Sequence, residues 1–318
     1  RKRLGGSLRL DANILGSVTN DPETDKTSGG SANIYSSYNT RLYNLSAAFH
    51  TVSSDFAVDP GFVTRTGITS GALRFSRNFY ANDNLARPLS WLCSTLAVKR
   101  IQPGVYVEAL RDNRADMAES AAQAFISFSL PRFTTLRLSY TKASEIYSAR
   151  TFDVDRFFMM LSTQPVSWFT LHSSIMKGGY PYYDPDDPYQ GDRTNFSLGA
   201  TVSPTRDLSA TLTHGRSLFS RRSTGEQIYD FRLFRGRITY QINKYLFIRA
   251  ISEYDAMNDI LTSDFLASFT YIPGTVIHVG YGSRYHKLKY VAPDYVDANR
   301  FMAMRRGFFV KASYNWIF

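Results

Sequence analysis

The sequence predicts an all-β fold, a transmembrane antiparallel up-and-down β-barrel of about sixteen strands, within a range of about 14 to 18. Three observations predict it. Apolar and polar residues alternate with a period of two along the chain. Turn-forming residues separate the alternating segments. Aromatic residues make up 15% of the 318 residues, as two interfacial girdles of a membrane barrel would require.

The alternation defines the strands. It begins with Leu8, Leu10, Ala12 and Ile14, which are separated by polar residues, and it recurs at 43–50, 136–141, 195–202 and 208–213. Successive side chains of a strand point to opposite faces, so each segment has an apolar and a polar face. Uninterrupted apolar runs, such as 157–161, are far shorter than the roughly 20 residues of a membrane helix.

Seven short turns set the predicted topology; they lie near 39–41, 82–84, 131–132, 164–165, 204–206, 243–244 and 273–274. Between consecutive turns there is room for two strands of about ten residues and a longer polar loop. We place the fifth strand at 89–101 and the last at 307–318, and an even count puts both termini on the periplasmic side. The region 101–117 is the least clear, because 105–110 could form an extra strand or extend a hairpin.

One domain is expected to cover residues 1–318, since no change in composition marks a boundary. An outer-membrane protein must be exported, yet the chain opens at Arg1 with no initiator Met and no apolar signal segment. We therefore expect the chain to be the C-terminal part of a longer precursor. Cys93 is the single cysteine, which excludes an internal disulfide, and we expect a buried thiol in a strand.

The formal charge of +10 is dispersed along the chain, with single cations such as Arg137, Arg249 and Lys311. No basic helix or nucleic-acid motif is present, so we expect no nucleic-acid partner. The spread favours a basic lumen or rim facing solutes or anionic lipopolysaccharide. Outer-membrane lipid and lipopolysaccharide are therefore the expected surroundings, and the bacterial outer membrane is the expected location.

Closure of the barrel is expected because lipid would surround it. Lipid cannot satisfy backbone N–H and C=O groups, so the first and last strands are expected to pair.

The chain ends with Tyr314, Trp316 and Phe318 on one face of its last strand, although Phe309 and Ile317 break strict alternation. This terminal pattern resembles the signal that the barrel-assembly machinery reads. A barrel of sixteen strands leaves an aqueous lumen unless a loop occupies it.

The segment 54–67 is the strongest candidate for such a loop. It joins Asp59, a Pro-Gly turn, an aromatic residue and Arg65 within a few positions. We expect it to fold into the lumen, with Asp59 and Arg65 holding it against the wall and narrowing the pore. The alternative is an ordinary surface loop with a tight turn.

A second segment, 180–192, is acidic, aromatic and rich in proline. Carboxylates suit a calcium ion, but the spacing does not match an EF-hand, so a solvated external loop is favoured. Its tyrosines could alternatively stack on sugars or contact a protein.

Catalytic signatures are not found in the sequence. The five histidines match no catalytic pattern, and no metal-ligand cluster or phosphate-binding glycine loop occurs. We expect no enzyme activity, no cofactor and no metal.

Several motifs carry a family resemblance; they lie at 59–66, 245–250, 271–275 and 306–311. With them, most of the chain resembles the C-terminal barrel of an uncharacterised family of bacterial outer-membrane proteins. Longer members of that family carry an N-terminal domain similar to carbohydrate-binding module family nine. The resemblance implies an outer-membrane barrel and no particular activity.

Three functions are compatible with these patterns. The leading hypothesis is a pore or transport channel for small hydrophilic solutes, with anions favoured by the basic charge. The second is a structural anchor with a plugged lumen that docks with other proteins of the cell envelope. The third is a soluble all-β binding protein, which would have to explain the outward apolar bands.

Overall fold

The computed structural model describes residues 5–21, 24–58, 63, 65–83, 87–95, 97–272, 274–291 and 294–314. This part of the chain forms eighteen β-strands and one α-helix. Their bounds are β1 Ser7–Asp21, β2 Thr24–Asn39, β3 Tyr43–Val52, β4 Ile68–Arg77, β5 Phe79–Tyr80, α1 Arg87–Thr95, β6 Arg100–Asp112, β7 Met117–Leu130, β8 Thr134–Tyr147, β9 Arg150–Asp153, β10 Arg156–Val166, β11 Phe169–Tyr182, β12 Tyr189–Val202, β13 Leu208–Arg221, β14 Gln227–Gln241, β15 Leu246–Asp255, β16 Ile260–Ile272, β17 Thr275–Val291 and β18 Asp294–Ser313.

The strand count is therefore eighteen rather than about sixteen. The two short strands, β5 and β9, have two and four residues. They flank the ends of longer strands, where β5 pairs with β6 and β9 pairs with β8. Every other strand has ten residues or more.

The long strands form an antiparallel up-and-down sheet. Each pairs with the next long strand along the chain, with β4 pairing with β6 and β8 with β10 across the short strands. The same order continues from β12 to β18. None of these pairings between described residues joins β18 to β1, so closure of the sheet stays a prediction.

The connections at the two ends of the sheet differ less in length than the sequence predicted. One end, here called the turn end, carries the connections 40–42, 131–133, 167–168, 203–207 and 242–245. The other, the loop end, carries 53–67, 113–116, 183–188, 222–226 and 256–259. Of these loop-end connections only 53–67 is long, because β11, β12, β17 and β18 continue as paired hairpins where we expected loops. The two strands of a hairpin satisfy each other's backbone N–H and C=O groups by hydrogen bonding, which an irregular loop cannot do.

The sheet has an apolar face and a polar face, as the alternation predicted. On the apolar face, Leu73 pairs with Val107 and Val279 with Val310, and their exposed fractions range from 46% to 70%. On the polar face, Ser139 and Thr141 are only 6% and 5% exposed. The apolar side chains are thus the exposed ones and the small polar ones are covered, the reverse of a protein with an apolar interior.

The predicted strand at 89–101 is wrong, because Arg87–Thr95 forms α1 and the fifth long strand is β6, Arg100–Asp112. The region left unclear at 101–117 is therefore mostly strand. Leu89, Leu92, Cys93 and Leu96 follow the i, i+3, i+4, i+7 spacing of a helix, which the shorter alternation concealed. Pro88 also suits the first turn of a helix. No helix among the described residues is long and apolar enough to cross a membrane.

The segment after β5 covers part of the apolar face at the turn end. Cys93 of α1 forms a buried cluster with Val98 and Ile101, which is 1% exposed. The cluster contacts partly buried residues of β5 and β7, namely Phe79, Ile126, Phe128 and Leu130. Cys93 is thus a buried free thiol, as predicted, but it lies in a helix.

Burial predicts the reactivity of this thiol. In the folded protein, Cys93 should react with a maleimide on the order of tenfold more slowly than an exposed thiol, because its side chain is 6% exposed. The matched control is the double variant Cys93→Ser, Ser94→Cys, since Ser94 is exposed on the same helix. Equal labelling rates for the two proteins would show that α1 does not pack against the sheet.

Candidate functional site

The described residues of segment 53–67, which are 53–58, 63 and 65–67, lie against the polar face at the loop end. Phe56 is 7% exposed and contacts Val52 and Ile68, with Val63 and Leu110 beside them. Val52, Ile68 and Leu110 belong to the polar face, as the pairing of β3, β4 and β6 shows. A buried aromatic side chain thus fixes this segment to that face of the sheet.

The same segment crosses the polar face toward β2 and β1. The backbone of Phe56 lies so close to Gly29 that a Cβ at position 29 would be 2.3 Å from the Phe56 Cα. Ser53 Oγ accepts a hydrogen bond from the Gly30 amide at 2.8 Å, and Ser17 Oγ accepts one from the Ala57 amide at 3.1 Å. The glycine in β2 therefore makes room for the segment.

Arg65 fixes the other side of the segment. Its guanidinium donates to Asp112 Oδ2 at 2.9 Å and to Glu119 Oε1 at 2.7 Å. These carboxylates belong to β6 and β7 and their side chains are 16% and 17% exposed. Partial burial lowers the pKa of Arg65, but the hydrogen bonds to Glu119 and Asp112 outweigh burial and raise it above its usual value. Arg114 adds a second tie, since its guanidinium donates to the Ser54 carbonyl.

The predicted pair of site residues is thus described in part. Arg65 lies on the polar face within two ion pairs, and its partners lie 47 and 54 residues away in the sequence. Asp59 lies outside the described residues. The sequence alone did not identify Asp112 or Glu119, because no local pattern links them to Arg65.

Replacing Gly29 should release the segment. In Gly29→Ala, the new Cβ meets backbone atoms of Phe56, which cannot move away as a flexible side chain could, so the segment must shift. We expect trypsin to cleave after Arg65 on the order of tenfold faster than in the unaltered protein. Gly215→Ala is the control, because nothing lies within 4 Å of a Cβ there. Unchanged cleavage of Gly29→Ala would mean that the segment does not lie over β2.

A cavity of about 360 Å³ lies beside Arg65 on the polar face. Glu108, Glu119 and Glu145 line it together with Arg65 and Arg156. Such a mixture of carboxylates and guanidinium groups suits hydrophilic solutes.

Two tyrosine hydroxyls bind carboxylates of this cavity. Tyr106 donates to Glu108 and Tyr183 to Glu145, each at 2.7 Å. Burial, followed by the hydrogen bond to Glu145, raises the pKa of the Tyr183 phenol, which therefore stays a neutral donor.

Three arginines lie on the polar face of β14 and β15. Arg235 and Arg237 line a cavity of about 260 Å³ with Thr211 and Thr213. Arg237 pairs with Ile251 and Thr239 with Arg249, so the register makes Arg237 and Arg249 diagonal neighbours. Within the described residues no salt bridge involves Arg237 or Arg249, whereas Arg235 is 3.8 Å from Glu253.

The sequence contained a signal for the cluster formed by Arg235, Arg237 and Arg249. The spacing of two between Arg235 and Arg237 places both on one face of a strand, although their nearness to Arg249 required the register.

Arg74 and Arg137 approach the ring of Phe125 on the polar face, at 5.2 and 4.5 Å from its centroid. Such stacking holds guanidinium groups in place without neutralising them. The polar face therefore carries several cations with fixed positions.

The terminal aromatic signal is only partly described. Tyr314 follows β18 and is 66% exposed, while Trp316 and Phe318 lie outside the described residues. The recognition signal therefore stays a prediction.

The predicted loop at 180–192 is mostly hairpin, since Tyr182 of β11 pairs and stacks with Tyr189 of β12 at 4.7 Å between centroids. The remaining turn is rigid. Hydrogen bonds from the amides of Asp186 and Asp187 lower the pKa of Asp184. The described residues contain no group of three or more histidine, cysteine or acidic side chains that could hold a metal.

Comparisons with known proteins give structural likeness alone. No protein-family model and no curated protein sequence matches the chain. The resemblance to the two-domain family therefore stays a prediction.

Solved structures of OmpT, an outer membrane protein of Vibrio cholerae, are similar to this chain. The in-vitro folded trimer form is 11% identical with a TM-score of 0.40, over 98% of this chain and 99% of that one. A mutant lacking loop L8 is 12% identical with a TM-score of 0.35, over 88% and 98%. At this identity and TM-score, the function must be inferred from the residues of this chain.

Proposed function

We propose that this chain is a β-barrel of the bacterial outer membrane and a non-enzymatic pore for small hydrophilic solutes, favouring anions. The observation that supports the barrel is that the apolar face of the sheet is exposed and its polar face is covered. A bilayer would cover the apolar face, and pairing of β1 with β18 would satisfy the backbone groups at both edges. The polar face would then line an aqueous lumen.

Segment 53–67 would narrow that lumen. Its described residues contact the polar face at β1 and β2 on one side and at β6 and β7 on the other, through Phe56, Arg65 and the close approach at Gly29. Anion preference is supported by the guanidinium groups of Arg235, Arg237 and Arg249 on the polar face, which would attract anions in the lumen. The turn end would face the periplasm, where the barrel-assembly machinery would act during biogenesis.

Single-channel recording in planar bilayers tests this proposal. We expect discrete conductance steps from the purified, detergent-folded barrel and a reversal potential on the anion-selective side. No current at any voltage would contradict the pore and favour the alternative, a plugged anchor that docks with envelope proteins. Extraction of the folded protein into buffer without detergent would contradict both.

A further inference from the structure

Two arginines face each other on the apolar face near the loop end. Arg216 of β13 and Arg232 of β14 are direct cross-strand partners, and Asp230 joins them. Arg216 donates Nε to Asp230 Oδ1 at 2.7 Å and Nη2 to Oδ2 at 2.8 Å. Arg232 donates Nε to the same Oδ2 at 3.0 Å, and its Nη2 contacts that atom as well. One carboxylate thus holds two guanidinium groups side by side.

The position of this cluster is unusual for charged residues. Immediately toward the turn end on the same face, His214 stacks on Phe234 with centroids 4.2 Å apart. Phe196, the cross-strand partner of Arg216, lies 5.9 Å from His214. Beyond these aromatic residues the face continues with Leu212 and Ile238, which are 58% and 53% exposed. The arginines therefore lie where an apolar, aromatic band ends, as residues at the level of lipid headgroups do.

The electrostatics leave a positive site. Two guanidinium groups and one carboxylate carry a net charge of about +1. Asp230 is only 12% exposed, whereas Arg216 and Arg232 are 40% and 47% exposed. Each guanidinium has five N–H donors and uses Nε and Nη2 on Asp230, so among the described residues the donors of Nη1 stay available on both arginines.

We propose that Arg216 and Arg232 form a clasp for the phosphate of a phosphorylated lipid in the leaflet at the loop end. The carboxylate of Asp230 holds the guanidinium groups in position and offsets their mutual repulsion, and the lipid phosphate takes the outward donors. The acyl chains of the lipid lie on the apolar face, on the turn-end side of the arginines. The inference rests on the membrane location proposed above and goes beyond the pore, since the clasp lies on the opposite face from the lumen.

Lipid retention tests the clasp. Nanodiscs of phosphatidylcholine with diphosphoryl lipid A are dissolved in mild detergent, and lipid A molecules per barrel are counted by native mass spectrometry. We expect retention by the unaltered barrel and about tenfold weaker retention by Arg216→Gln, Arg232→Gln. The conservative variant Arg216→Lys, Arg232→Lys keeps the charge but not the fork of donors, so intermediate retention is expected.

The control variant is Arg206→Gln, Lys244→Gln, which removes two exposed cations at the turn end and should retain lipid A normally. Folding of each variant is checked by its mobility on an unheated gel, and channel recordings report the pore separately. Equal retention by the glutamine variant, or equal retention of lipid A stripped of phosphate, would refute the clasp. Binding of inorganic phosphate alone as tightly as diphosphoryl lipid A would refute the lipid as its ligand.

Discussion

Changing Arg65 to glutamate is expected to increase the single-channel conductance. Glutamate would face Asp112 and Glu119, so two attractive contacts would become repulsive. Hydrogen bonds to charged groups contribute about 1.5–3 kcal/mol each, and partial exposure reduces that gain. A loss of about 2 kcal/mol would raise the detached population of the segment on the order of 30-fold. A segment that leaves the wall would no longer narrow the lumen steadily, so open-channel noise should also rise.

Arg111→Glu is the matched control. Arg111 pairs with Asp116 at the same end, but both side chains are largely exposed, at 67% and 80%. Exposed pairs contribute little, so this variant should leave the conductance unchanged while altering charge at the same end of the sheet. If both variants changed conductance equally, charge near the loop end would be the cause and the constriction hypothesis would be wrong.

Reversing the charge of Arg237 and Arg249 is expected to convert anion preference into cation preference. These guanidinium groups lie on the polar face and have no salt bridge within the described residues, so their charge acts on passing ions. Because the Debye length is about 10 Å at 0.1 M salt, their field should reach ions that pass the turn-end half of the lumen. Reversal potentials for Arg237→Glu, Arg249→Glu in a salt gradient near this concentration should change sign.

The control for this variant carries the same change in total charge. Arg206→Glu, Lys244→Glu alters two exposed cations in the turns before β13 and β15, outside the strands that would line the lumen. We expect a smaller shift without a change of sign. A variant at positions 237 and 249 that kept the original selectivity would show that β14 and β15 do not line the ion path.

Much of the fold could be predicted from sequence because strand periodicity is local. The alternation at 208–213 and the apolar residues of the last strand identified the face on which Leu212 and Val310 are exposed. The same periodicity failed at 89–101, where helical spacing and strand alternation overlap in a short apolar segment. Hairpin length was also misjudged at 180–192, since tyrosine and proline suggested a loop while cross-strand pairing continued to Tyr182 and Tyr189.

The sequence by itself determined the strand alternation, the two faces of the sheet and the segment that carries Arg65, because these depend on neighbouring residues. Only the tertiary structure decided which distant side chains contact one another. It joined Arg65 to Asp112 and Glu119, and it aligned Arg216 with Arg232. Such contacts depend on the register between strands, which hydrogen bonding and side-chain packing set jointly along the whole sheet.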